Sequence, residues 1–316
     1  MVGKFNSAQP LRVGTRGSPL ALVQARDFMR RLIASEPALS GPGVVVETVI
    51  NTTGDVVQDR RLADIGGKGL FAKEIHEALL DRRIDCAVHS LKDLETELPP
   101  EITLACVLKR EDPRDVLILG TPGGPGLEAL PMGARVGSSS VRRQAQLLHA
   151  RPDLRVESIR GNIQTRLAKL RAGACDATLL AMAGLNRMGL MPEGAIVLDP
   201  EVMLPAAAQG IVGITARADD FGALALLSRI EDASSRVMAI AERALLAELD
   251  GSCRTPIGAF ARLSPDGQMT LSGLVARADG TFLVRRALAG PATDAERLGR
   301  TLGGELRAAA PFDVFQ

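Results

Sequence analysis

Ile84-Asp85-Cys86-Ala87-Val88-His89-Ser90-Leu91-Lys92-Asp93 reads as a short apolar strand that ends on a basic and an acidic residue. Phe71, Ile75, Ala78 and Leu79 precede it at helical spacing, so the segment is a helix feeding a buried strand, the building unit of an open α/β sheet. In such sheets ligands bind outside the carboxyl ends of the strands, which is where Lys92 and Asp93 fall. A carboxylate at that edge suits stabilisation of a developing cation, with the lysine available for an anionic substituent on the same substrate. A surface ion pair at a strand terminus is the plainer reading of the same two residues.

Working outward, the same strand-loop-helix grammar recurs. Leu11 to Val13 is a strand, and Ser18 and Pro19 are an N-cap and a first helical residue. The helix they open turns Leu22, Ala25, Met29, Leu32 and Ile33 inward, and Arg16 shares its N-terminal opening, an anion site in outline. Val44 to Ile50 is a second strand, and the glycine-rich Gly66-Gly67-Lys68-Gly69 reads as a loop over the site or as a solvated connection. Further along, Arg135-Val136 runs through Gly137-Ser138-Ser139-Ser140 into a helix whose first turn holds Arg142 and Arg143. Two adjacent cations there oppose the helix dipole, and a bound anion would reverse that sign. Arg160-Gly161-Asn162 opens another helix bearing Arg166, and the strand Asp176 to Ala181 ends near Arg187. An Asp-initiated strand with a basic residue at its far end, Lys92 or Arg187, thus occurs in both halves, which indicates an internal duplication.

The expected fold is α/β, with two doubly wound, periplasmic-binding-protein-like domains joined by a hinge and facing each other across an arginine-lined cleft. The predicted boundaries are 1–110 with 205–229 for the first domain and 111–204 for the second. The run Val202 to Ala216 is predicted to be a buried strand returning to the first domain. Residues 230–316 are predicted to form a small α+β domain with a three-stranded antiparallel sheet. In it, Ser234-Ser235 caps a helix that ends before the loop Ser252-Cys253-Arg254, and Thr293 with Glu296 forms a capping box.

Composition narrows the function. With a formal net charge of +1, the chain has no general basic coat for nucleic acid, and any anion site must come from local clustering of arginines. Trp and Tyr are absent, which argues against base stacking. The start carries no apolar export segment and no run approaches the ~20 residues of a spanning helix, so a cytoplasmic protein without a membrane partner is expected. Cys86, Cys106 and Cys175 lie in apolar, strand-like surroundings, as small buried hydrophobes do, whereas Cys253 stands on a loop. His76, His89 and His149 lack metal-site spacing, so no metal is expected. Arginines at several loop-to-helix junctions favour a ligand with several carboxylates or phosphates.

Eight ordered segments carry a resemblance. They are Thr15-Arg16-Gly17-Ser18-Pro19-Leu20-Ala21-Leu22, Gly66-Gly67-Lys68-Gly69-Leu70-Phe71, Ala87-Val88-His89-Ser90-Leu91-Lys92-Asp93, Arg110-Glu111-Asp112-Pro113-Arg114-Asp115, Gly137-Ser138-Ser139-Ser140-Val141-Arg142-Arg143-Gln144, Arg160-Gly161-Asn162, Leu204-Pro205 with Gln209-Gly210, and Gly251-Ser252-Cys253. Over nearly its whole length the chain resembles the porphobilinogen deaminase (hydroxymethylbilane synthase) family. The resemblance implies a transferase of tetrapyrrole (haem) biosynthesis, joining four porphobilinogen molecules head to tail into hydroxymethylbilane with loss of ammonia at each step. It also implies a dipyrromethane cofactor held by a thioether to Cys253, Asp93 as the catalytic carboxylate, and a monomer acting on a small molecule. Arg16, Ser18, Lys92, Arg160 and Arg166 would hold substrate and chain carboxylates. Ser138, Ser139, Ser140, Arg142, Arg143, Arg187 and Gln209 would mainly hold the cofactor, and Lys68 would belong to a covering loop. Asp64 stands where some members carry lysine, so one basic loop contact is absent.

Two other readings compete. A two-lobed solute-binding protein for a small polycarboxylate explains the arginines but gives Cys253 and the third domain no task. An adaptor for an acidic partner or nucleic acid fits poorly with the neutral net charge.

Overall fold

The computed structural model describes residues 5–56, 72–121, 124, 126–249 and 255–315. In chain order these form β1 (Leu11–Arg16), α1 (Pro19–Ser35), β2 (Val45–Ile50), α2 (Lys73–Leu80), β3 (Cys86–Ser90), β4 (Ile102–Val107), β5 (Asp115–Leu119) and β6 (Arg135–Gly137). Then come α3 (Val141–Ala150), β7 (Arg155–Glu157), α4 (Ile163–Arg171), β8 (Ala177–Ala181), α5 (Met182–Arg187), β9 (Ala195–Val197) and β10 (Val212–Arg217). The last are α6 (Phe221–Leu227), α7 (Ala233–Glu248), β11 (Ile257–Leu263), β12 (Gln268–Ala276), β13 (Leu283–Pro291) and α8 (Ala295–Ala309). The chain divides into two compact units, one drawn from residues 5–56, 72–110 and 211–236 and the other from 111–210 and 237–315.

The first unit holds a five-stranded sheet in the order β2-β1-β3-β10-β4, in which β10 alone runs antiparallel to its neighbours. The second unit holds a five-stranded sheet in the order β7-β6-β8-β5-β9, in which β5 is the reversed strand. The two orders are the same once the crossing strands are exchanged: each sheet takes as its fourth strand the segment that follows a passage from the other unit. Both are doubly wound α/β sheets. Central strands such as β5 (Asp-Val-Leu-Ile-Leu) are buried throughout, as expected of strands covered on both faces, whereas the edge strand β7 is largely exposed.

The duplication extends to register. Val13 pairs with Cys86 and Gly14 with Ala87, while Val136 pairs with Ala177 and Gly137 with Thr178. At the amino end of each pair an aspartate latches the strands. Asp85 Oδ2 accepts from the Arg12 amide at 2.9 Å and Oδ1 from Arg12 Nη2 at 2.8 Å. Asp176 Oδ2 accepts from the Arg135 amide at 2.7 Å and Oδ1 from Arg135 Nη2 at 3.2 Å. A Cβ at Gly14 would come within 2.3 Å of Ile84 Cδ1, and one at Gly137 within 2.3 Å of Ile159 Cδ1, so at the same place in both strands an isoleucine end packs over a glycine and would have to shift for a larger residue.

Residues from 257 onward give the antiparallel sheet β11-β12-β13, covered by α8 through Leu298, Leu302 and Leu306 and by Ala241 and Leu245 of α7. Three local expectations change. The run 202–216 enters a strand only at Val212, the start of β10, because Pro205 and the left-handed residues Ala208 and Gly210, with φ of 61° and 90°, turn the chain before it. The helix α7 is capped by Asp232, whose Oδ1 accepts from the Ser235 amide at 2.8 Å, and not by Ser234-Ser235. The capping box does not form, since Thr293 lies in a 3₁₀ turn and Asp294 precedes α8 without a side-chain cap bond.

Burial works to raise the Asp85 carboxyl, but the hydrogen bonds and charge of Arg12, with the charge of Arg217, hold it below the ordinary carboxylate range. A depressed value means stabilisation that is complete above the unfolded-state pKa of about 3.9 and lost as pH falls through the folded one. Asp85→Asn should therefore lower unfolding free energy by about 1–3 kcal/mol at pH 7, the range of charged hydrogen bonds, since the Arg12 guanidinium can reach solvent and Arg217 keeps Asp220. Urea titrations should show that deficit shrinking below about pH 4; a deficit independent of pH would contradict the charged latch.

Candidate functional site

In the first unit, β1 ends on Arg16, and Ser18 turns the chain into α1, its Oγ accepting from the Ala21 amide at 3.3 Å. Two strands' width is thereby spanned by register alone, because β3, level with β1, ends on Ser90. The chain leaves β3 through a single 3₁₀ turn, Leu91–Asp93, in which the fully buried Leu91 is the anchor and Lys92 and Asp93 are exposed. Arg16, Ser18, Gln24, His89, Ser90 and Asp93 line one cavity of about 80 Å³. Gln24, 3% exposed, donates through Nε2 to Ser90 Oγ at 3.0 Å, and His89 Nε2 lies 2.9 Å from Thr215 Oγ1. A guanidinium, a hydroxyl and a carboxylate around one cavity suit a ligand with an anionic arm and a ring that becomes positive.

In the second unit, the loops leaving β6 and β7 meet in the same way. The Ser138 amide donates to Glu157 O at 2.8 Å, and Ser139 Oγ donates to Ile159 O at 2.8 Å and sits 3.1 Å from Ser158 Oγ. Ser140 caps α3, its Oγ accepting from the Arg143 amide at 3.4 Å. Asn162 caps α4 as the sequence predicts, its Oδ1 accepting from the Thr165 amide at 2.9 Å. Arg160 and Arg166 are half-buried there, with Arg166 Nε donating to Gly161 O at 2.9 Å.

Arg142, Arg143 and Gln209 are gathered instead around Asp115, the fully buried first residue of β5. Arg143 Nη2 donates to Asp115 Oδ1 at 2.7 Å, Gln209 Nε2 donates to the same oxygen at 2.8 Å, and Arg142 Nη1 lies 2.8 Å from Oδ2. The arginines also brace the backbone, Arg142 Nη1 donating to Leu204 O at 2.6 Å and Arg143 Nη1 to Leu179 O at 2.8 Å. Arg187 Nη2 donates to Gly210 O at 2.7 Å. Burial works to raise the Asp115 carboxyl, and the charges of Arg142 and Arg143 overcome it and hold it far below the carboxylate range. Burial, and then the neighbouring Arg143, push Arg142 down while Asp115 pulls it up. Two guanidiniums facing one carboxylate leave the group one positive charge in excess at the N-terminus of α3, where a carboxylate from a ligand is favoured.

Lys68, Asp64 and Cys253 lie outside the described residues. The other three cysteines are buried as the sequence predicts, and burial pushes the Cys106 thiol up to about 12, far from the range of a working nucleophile. Among the described residues no helix is long and apolar enough to cross a membrane. Gln24, Ser90 and Asp115 were not singled out from sequence. Gln24 had a signal, a polar residue on a face otherwise made of Ala25, Phe28 and Leu32.

Residues 11–225 match the family model "porphobilinogen deaminase, dipyromethane cofactor binding domain", and residues 237–308 match "porphobilinogen deaminase, C-terminal domain". The porphobilinogen deaminase of Paracoccus denitrificans is 48% identical over 97% of this chain and 96% of its own length. That of Sorangium cellulosum is 50% identical over 94% of this chain and 98% of its own. Among solved structures, an arginine-specific periplasmic binding protein of Salmonella typhimurium overlays with a TM-score of 0.39 at 13% identity, covering 76% of this chain and 97% of that one.

Removing the charge at the hub should expose its structural weight. Asp115→Asn strands two buried guanidiniums and should lower unfolding free energy by about 3–5 kcal/mol in a urea titration. A change under about 1 kcal/mol would show that the arginines find other partners.

Proposed function

This chain belongs to the porphobilinogen deaminase family, whose transferases join four porphobilinogen molecules into hydroxymethylbilane with release of ammonia, and from that premise we propose how its own residues carry the reaction. The observation that carries the proposal is the cavity in which Arg16, Ser18 and Asp93 converge. Arg16 and Ser18 take a carboxylate of the incoming porphobilinogen, and Lys92, exposed on the 3₁₀ turn that carries Asp93, is proposed as a further partner of substrate carboxylates. Asp93 faces the pyrrole nitrogen, where positive charge develops as ammonia leaves, and accepts or returns the protons that the addition moves.

The family's dipyrromethane, when bound, supplies a nucleophilic pyrrole α-carbon as primer. Its four carboxylates suit a donor set of the second unit, the serine loop 138–140 and the excess charge at Arg142 and Arg143, while Arg160 and Arg166 are proposed to take carboxylates of the substrate and growing chain. Cys253 is the proposed thioether attachment. Gln209 and Arg187 hold backbone and Asp115 within that donor set, and Lys68 is proposed as a further partner of ligand carboxylates. The proposed setting is a cytoplasmic monomer working on a small molecule, without nucleic acid or membrane; the near-neutral charge supports it.

Asp93 is exposed and packs no core, so its loss should separate chemistry from stability. Asp93→Ala should reduce turnover of porphobilinogen by roughly 10²–10⁴-fold. Its unfolding free energy should stay within about 0.5 kcal/mol of the parent. Near-normal turnover would remove Asp93 from the mechanism, and a loss of stability in step with activity would make it a structural residue.

A further inference from the structure

A line of contacts in the second unit begins at a residue that has no part in the roles above and ends at the Asp115 cluster. Glu242, in the middle of α7 and fully buried, accepts hydrogen bonds from two backbone amides: Ala208 to Oε2 at 2.6 Å and Ala261, in β11, to Oε1 at 2.6 Å. Ala208 has a φ of 61°, in the left-handed region that residues with a Cβ rarely adopt. The next residue, Gln209, is 1% exposed and donates through Nε2 to Pro113 O at 2.7 Å and to Asp115 Oδ1 at 2.8 Å. Asp115 in turn faces Arg142 and Arg143.

We propose that Glu242 is a positioning residue for the cofactor site: its carboxylate clamps the amide of Ala208 in the left-handed turn, which sets Gln209 against Asp115 and so fixes the two guanidiniums. The inference rests on the functional reading above. A carboxyl group is suited to the task because each of its two oxygens accepts from one of the two inward-pointing amides. An amide in its place would turn an NH2 group toward one of those N–H groups and release the clamp. The strained φ persists only while the surroundings hold it. Glycine adopts that φ without penalty, so Ala208→Gly should make the turn independent of the clamp.

That last point gives a test which a simple tie between α7 and β11 would fail. Protein produced without porphobilinogen is incubated with it, and attachment of dipyrromethane is followed by intact mass for the parent, Glu242→Gln, Ala208→Gly and the double variant, with melting temperatures alongside. Glu242→Gln should load about tenfold more slowly. Ala208→Gly alone should load like the parent, and added to Glu242→Gln it should restore most of the rate. Parent-like loading by Glu242→Gln overturns the proposal, and so does a defect that Ala208→Gly leaves in place. If Glu242→Gln is insoluble, recovery of soluble, loadable protein in the double variant supports the clamp, and continued insolubility counts against it. A parent chain that never gains the group would instead contradict the functional reading, so the two failures are told apart.

Discussion

The parallel pairing of β1 with β3, repeated as β6 with β8, is the constraint from which the site follows. Because side chains alternate along a strand, slipping either pair by one residue would turn every inward group outward. The aspartates at the amino ends oppose that slip by tying backbone and guanidinium of the neighbouring strand at once. With the register held, the strands end level at their carboxyl edges. The loops that leave them must meet there, which is how Arg16 and Ser18 come to share a cavity with Ser90 and Asp93. The same geometry in the second unit brings Ser139 to Ser158.

The two copies have then diverged in what they do with charge. In the first unit the edge is open, and an exposed carboxylate stands near a guanidinium on a small cavity. In the second, Asp115 lies wholly inside and holds Arg142 and Arg143, whose first-turn position on α3 would otherwise oppose the helix dipole. A buried carboxylate between two guanidiniums is a weak source of net stability but a strong source of geometric definition, because neither arginine can turn away without stranding a charge. Two guanidiniums face one carboxylate there, and the ligand proposed for this unit would supply the further negative charge through its carboxylates.

Much of this was legible in the chain. Ser18 and Asn162 cap their helices because the local sequence is sufficient for capping, and the duplicated Asp-initiated strands pointed to two α/β sheets. Tertiary events were not legible. Arg142 and Arg143 looked like groups awaiting an anion, and nothing local shows that Asp115 comes to meet them. Val202 to Ala216 looked like one apolar strand because hydrophobicity does not report φ, and the left-handed Ala208 depends on Glu242, far along the chain. Thr293 and Glu296 had the spacing of a capping box, but a 3₁₀ turn at 292–294 moved the helix start to Ala295, leaving Thr293 outside it and Glu296 in its first turn. Cys253 and Lys68 are assigned by their family motifs alone.

The central claim is that these cationic edges hold a polycarboxylate pyrrole primer that the chain carries covalently. Intact-protein mass spectrometry of freshly purified, active protein, followed by peptide mapping, tests it most directly. The account predicts a mass excess of one dipyrromethane, borne by the peptide containing Cys253. A fully active preparation in which Cys253 is an unmodified thiol would contradict it.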